Sequence, residues 1–120
     1  MSRHRPTEIK LVRKTRTLHV AFPDGADFEL PCEYLRVFSP SAEVQGHSPD
    51  EATLQVGKES VMIIAIEPVG NYAVQLNFDD GHTSGIYAWD TLYELGRNQQ
   101  DNWARYLEDL KAAGHARQEH

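Results

Sequence analysis

Asp79, Asp80 and His82 stand within four residues of one another. Carboxylate oxygens beside an imidazole are ligands for a hard or borderline metal ion, and His47 or Glu43 would extend Asp80 and His82 into a fuller set. The same residues also read as a tight turn, with Asp80 bonding back to its own backbone and His82 following on a solvated edge; that is the simpler reading. Other chemistries find less support. An iron oxygenase needs two histidines and a carboxylate in a facial triad, with a His-x-Asp or His-x-Glu signature. The residues two places beyond the histidines are Pro6, Ala21, Pro49, Ser84 and Arg117, so the signature is absent. Neither a Gly-x-Ser-x-Gly elbow nor a phosphate-binding Gly-x-x-x-x-Gly-Lys-Ser/Thr loop occurs. Cys32 follows Pro31 at the start of an expected short helix, where a thiol can be activated, but a small cysteine packed as a core residue is the commoner outcome. Arg36, Arg13, Arg16 and Lys58 are the residues of a small basic spot for an anion, or else of an ordinary solvated surface, which is the simpler reading.

The elements that must position these groups come from the patterning of 120 residues. That length suits one domain with a modest core. With 12 basic and 18 acidic residues the formal charge is −6, which argues against a nucleic-acid surface. The single Cys32 excludes an intrachain disulfide and an all-cysteine zinc site. No apolar run is long enough to span a membrane and the first ten residues lack a secretory apolar segment, so the expectation is a cytoplasmic protein.

Alternating patterns predict strands over 7–14, 16–22 and about 28–30, the last two joined at Asp24-Gly25. A short helix is expected over 31–37, then a loop over 39–53 long enough to be a candidate site. Strands follow over Ser60–Val69, with Ile63, Ile64 and Ile66 buried at its centre, over Tyr72–Phe78, and over Thr83–Tyr87 after a second hairpin at Asp80-Gly81. The two stretches FPDGADFEL and FDDGHTSGIY share a pattern, which is a weak internal duplication or simply two good turns. Trp89, Leu92 and Tyr93 mark a helix with a Thr91–Glu94 capping box, ended by Gly96. Trp103, Tyr106, Leu107 and Leu110 mark another, ended by Gly114. Their aromatic residues are expected to pack on the sheet rather than form a binding stripe. The fold class is α+β: hairpin-rich, partly rolled antiparallel β-sheet layers with two short C-terminal helices packed on one face. Residues 1–6 and 113–120 are expected to be disordered, flanking a domain over 7–112.

The strings LPCEYLRVFSPSAEVQGH (30–47), IEPVGNYAVQLNFDDGHTSGIYAWDTLYELG (66–96) and WARYLEDL (103–110) resemble the small bacterial proteins catalogued as domain of unknown function 971. That family is similar to the N-terminal domain of γ-butyrobetaine hydroxylase. The resemblance implies a non-catalytic mixed α/β unit. In the hydroxylase such a unit sits beside an oxygenase domain and binds structural zinc through three cysteines and a histidine. Here the corresponding positions carry Ser39, Ser41 and Val44, with His82 as the histidine counterpart, so structural zinc is not expected. The same unit occurs fused to P-loop iron–sulfur carriers, which implies a link to iron or iron–sulfur proteins.

The expected function is therefore an accessory, protein-interaction module without catalytic activity, using Arg36, Ser39, Ser41, Glu43, His47, Asp80 and His82. Its partner is expected to be an iron–sulfur carrier or an iron enzyme, with neither nucleic acid nor membrane involved. The alternative is a protein that itself holds iron or a cluster through His82, Asp80 and His47, as a homodimer if Cys32 contributes.

Overall fold

The computed structural model describes residues 5–40, 58–82 and 85–114. Three strands open the chain, β1 (Glu8–Val12), β2 (Thr17–Ala21) and β3 (Asp27–Pro31), followed at once by helix α1 (Cys32–Val37). Strands β4 (Ile63–Val69), β5 (Ala73–Phe78) and β6 (Gly85–Ala88) come next, followed at once by α2 (Trp89–Arg97) and then α3 (Gln99–Ala112). Each trio is an antiparallel sheet in chain order, β1-β2-β3 and β4-β5-β6. The α+β fold of antiparallel layers with C-terminal helices follows from the patterns in the sequence; the sheets are two and remain unclosed.

The two units repeat more than their element order. In the β2–β3 turn, the Phe22 amide donates to Ala26 O, the Gly25 amide to Phe22 O, and the Ala26 amide to Asp24 Oδ1. In the β5–β6 turn, the Phe78 amide donates to His82 O, the Gly81 amide to Phe78 O, and the His82 amide to Asp80 Oδ1. Gly25 and Gly81 take φ of 93° and 92°, a region that an L side chain resists. The turns are 56 residues apart, whereas the helix starts Cys32 and Trp89 are 57 apart, because one extra residue follows the second turn.

Alternation puts Leu18, Val20 and Leu30 of the first sheet and Ile63, Leu76 and Tyr87 of the second into one core, which also takes Cys32 and Leu35 of α1 and Leu92 of α2. All six residues of α1 are buried, so this short helix is held by packing rather than by its own propensity. A smaller cluster of Val37, Tyr106 and Leu110 seats α3, with Trp103 packed against it. Trp89 and Tyr106 are buried, in keeping with the packing role expected of the aromatic residues.

Several local expectations need correction. Strand β4 starts at Ile63, and its register shifts between Ile63 and Ala65, which turns Ile64 outward to 55% exposure. Gly96 does not end α2. It lies inside the helix because the Phe28 ring occupies the space where a Cβ would stand, 2.4 Å away. The Thr91–Glu94 capping box does not form, since α2 begins earlier, at Trp89. That helix start is tied instead to the β4–β5 turn, by the Trp89 amide to Tyr72 O and the indole Nε1 to Asn71 O. Leu107, expected on the packed face of α3, is 40% exposed. Gly114, at φ 81°, follows α3 as expected. Among the described residues no helix is long and apolar enough to cross a membrane.

Candidate functional site

The C-terminal end of α1 and the β5–β6 turn meet at one corner. Helix α1 brings Arg36 and, just beyond its end, Ser39; the turn brings Asp80 and His82; β6 brings Tyr87. Lys58 arrives from the segment before β4. Arg36 Nε donates to Asp80 Oδ2 at 2.9 Å and Lys58 Nζ to the same oxygen at 2.8 Å, while Oδ1 accepts the His82 amide at 3.1 Å. Partial burial alone would raise the Asp80 carboxyl. The Lys58 ammonium, the His82 amide and the Arg36 guanidinium outweigh it and hold the group down to about 2.

Beneath this pair runs a buried relay. The Tyr87 hydroxyl donates to Leu35 O at 2.5 Å. Burial pushes the Tyr87 phenol up, and a hydrogen bond from Ser39 and the charge of Arg36 offset only part of that rise. Ser39 Oγ lies 3.0 Å from His82 Nε2 and also bonds Tyr87, so the three side chains are linked. His82 is only 4% exposed, so the solvated-edge reading of it is corrected: the Asx bond from Asp80 is present, but the ring turns inward.

Arg36 is 7% exposed. Its Nη1 is a buried donor with no acceptor among the described residues. Arg36 and Lys58 of the expected basic spot therefore converge on a carboxylate rather than lying loose on the surface. Of the seven residues expected to form the interaction surface, the structure brings Arg36, Ser39, Asp80 and His82 together. Ser41, Glu43 and His47 lie outside the described residues, as do Val44 and the rest of the expected loop beyond Pro40. Lys58 was expected only as part of the basic spot, and Tyr87 was not among the site residues expected from sequence. Tyr87 reads as an ordinary inward-facing strand position, and nothing in the sequence signals its bond to Ser39.

The donors do not fit the zinc that the hydroxylase resemblance implies. Where a thiolate would bind, Ser39 supplies a hydroxyl already bonded to His82 Nε2, and Ser41 and Val44 are not thiolates either. Among the described residues no group of three His, Cys, Asp or Glu side chains converges as metal ligands would. Cys32 is fully buried; burial raises its thiol, with a backbone bond to Ile63 lowering it only in part, so it is a core residue rather than a nucleophile.

The first turn supplies a counterpart to this corner. Asp24 accepts the Ala26 amide on Oδ1, and the Tyr93 hydroxyl on Oδ2 at 2.6 Å. Tyr93 is the fifth residue of α2, as Arg36 is of α1. Each unit's Asp-Gly turn thus holds the helix of the other unit at the same helical position. The Phe28–Gly96 contact has its counterpart too. Positions 85 and 39 stand 57 residues from 28 and 96 in the opposite sense, and the Ser39 Oγ lies 3.0 Å from where a Gly85 Cβ would be.

The family model of gamma-butyrobetaine hydroxylase-like N-terminal domains matches residues 9–93. The chain belongs to that family. The matched stretch contains both turn-to-helix clamps and stops before α3. Similar solved structures include the following three. Two are NMR solution structures, one 52% identical with a TM-score of 0.82, covering 95% of this chain and 85% of its own. The other is 46% identical with a TM-score of 0.82, covering 95% of this chain and 90% of its own. The third is a crystal structure of a DUF971-family protein of unknown function from Acidithiobacillus ferrooxidans, 38% identical with a TM-score of 0.65, covering 77% of this chain and 92% of its own. No curated protein matches the chain.

Proposed function

We propose that this family member is a non-catalytic accessory module that docks a protein partner through the corner formed by Arg36, Ser39, Lys58, Asp80 and His82. The observation that carries the reading is the difference between the two equivalent clamps. A phenol bonds Asp24 and holds α2 to the first turn. The equivalent clamp uses a guanidinium, adds a lysine and leaves Arg36 Nη1 without an acceptor among the described residues. Burying a charged group with an unmet donor costs stability, and groups of that kind concentrate where something is recognised.

Catalysis is not supported by the geometry. The Asp80 oxygens are taken up by two cations and an amide, His82 Nε2 bonds Ser39, and the Cys32 thiol is sealed in the core. The same bonds compete with the reading of His82 and Asp80 as iron ligands. The partner class we propose is an iron or iron–sulfur protein, and that part rests on the family resemblance alone.

The test is affinity capture from the native host with three full-length baits: wild type, Lys58→Glu at this corner, and Tyr93→Phe at the equivalent one. A partner held by wild type and Tyr93→Phe but lost by Lys58→Glu is the expected result, with iron or acid-labile sulfide in the captured protein. Equal recovery by all three baits would refute the docking corner. A corner-dependent partner without iron would refute only the partner class.

A further inference from the structure

The unmet donor at this corner has a definite chemistry. Guanidinium nitrogens donate and never accept, so Arg36 Nη1 needs an acceptor, and a charged oxygen gives the strongest bond. Asp80 Oδ2 already accepts Arg36 Nε and Lys58 Nζ, and Oδ1 accepts the His82 amide. Oδ1 of the adjacent Asp79 accepts the Met62 amide. The Tyr87 hydroxyl donates to Leu35 O. Two cations therefore share one carboxylate that already accepts three bonds, and Nη1 is not among them.

We infer that this corner is an oxyanion site. A carboxylate or phosphate group takes Arg36 Nη1 and is balanced by the Lys58 ammonium. The pairing suits the ligand class, since a guanidinium edge matches two oxygens of one group and a lysine adds a mobile point charge. Nη1 is shielded from bulk water, so a free ion binds weakly, whereas the same group carried on a docking partner is delivered against it. The inference deepens the docking reading by naming the group received. The two can fail separately: capture of a partner without any anion response would leave docking standing and remove this site.

The experiment is a 15N NMR titration of the full chain, following the Arg36 Nε–Hε signal and the His82 and Ser39 amides. Sodium phosphate and sodium acetate are added in separate series against sodium chloride at equal ionic strength. Saturable shifts with phosphate, acetate or both are expected, and the stronger series identifies which oxyanion the site prefers. Arg36→Lys, which lacks Nη1, should abolish them; Lys58→Gln should raise the apparent Kd by about threefold, as loss of a partly screened charge does. Shifts no different from chloride would overturn the inference and point to an internal water on Nη1. Saturable shifts that persist in Arg36→Lys would overturn it as well. Should Arg36→Lys fail to fold, an unchanged Kd in Lys58→Gln refutes the site alone.

Discussion

Replacing Asp80 with Asn tests how far the corner depends on one negative charge. The variant keeps the shape of the side chain and an oxygen for the His82 amide, but removes the counter-charge to Arg36 and Lys58. Lowering the Asp80 carboxyl from 3.8 to about 2 corresponds to at most ~2.4 kcal/mol, at 1.36 kcal/mol per tenfold change in affinity for the proton. The side chain is 21% exposed and screened by solvent, so a value of ~1 kcal/mol is the more realistic share. The stranded Arg36 guanidinium adds about 1–3 kcal/mol, the cost of leaving a buried charged donor unpaired. Asp80→Asn is therefore expected to lose about 2–4 kcal/mol at neutral pH, read from urea unfolding followed by circular dichroism. The pH dependence has a fixed sign. A depressed carboxyl contributes stability that is complete above its unfolded value of 3.8 and lost as pH falls toward 2. The gap between wild type and variant should thus be flat from pH 7 to about pH 5, and near pH 3 the ionisation share should be roughly halved. A gap below about 0.5 kcal/mol at pH 7, or one that does not narrow on acidification, would refute the reasoning.

Ser39→Ala removes the middle of the His82–Ser39–Tyr87 link and with it the bond to His82 Nε2; a loss of about 1–3 kcal/mol is expected in the same unfolding assay. Gly96→Ala drives a methyl into the Phe28 ring and should cost about 1–3 kcal/mol, despite alanine's helix preference of about 1 kcal/mol, and Phe28→Leu in the same chain should relieve part of it. Cys32 should resist a thiol reagent in the folded protein and react fully in denaturant; rapid labelling of the native chain would contradict its burial.

Fold class was readable because Leu18, Val20, Val74, Leu76 and Phe78 alternate strictly, and because Asp-Gly pairs mark both hairpins. What escaped was set by contacts between distant segments. Gly96 looks like a helix stop, and only the Phe28 ring, 68 residues earlier in the chain, explains a glycine inside the helix. Ile64 sits in an apolar run that promises burial, but a register shift turns it outward. Arg16 adopts φ 54° with no glycine or asparagine to announce it. The site was legible in part. Asp80 and His82 stand out by type, Arg36 and Lys58 as part of a basic spot and Ser39 by the resemblance, whereas Tyr87 joins them only through folding. The shared Asp-Gly pattern hinted at a duplication, and its weight became clear once the two turns proved to clamp the fifth residue of each other's helix.

That reciprocity permits a last prediction that separates fold from function. If the charges at the Asp80 corner serve the fold alone, a neutral clamp copied from Asp24–Tyr93 should serve worse. If they serve recognition, it should serve as well. Arg36→Tyr makes the substitution directly, placing a phenol where Tyr93 stands in the other unit. Removal of one charged partner is costly when it strands the other, but here Asp80 keeps the Lys58 ammonium and gains a phenol donor, so its charge is not left unpaired. Arg36→Tyr is therefore expected to stay folded within about 1 kcal/mol of wild type, well above Asp80→Asn, while losing both the anion response and the captured partner. The urea midpoint and the NMR titration read the two effects on the same sample. A variant that unfolds, or that falls by about 3 kcal/mol or more, would show the charged clamp to be structural and would take away the contrast on which the docking corner rests.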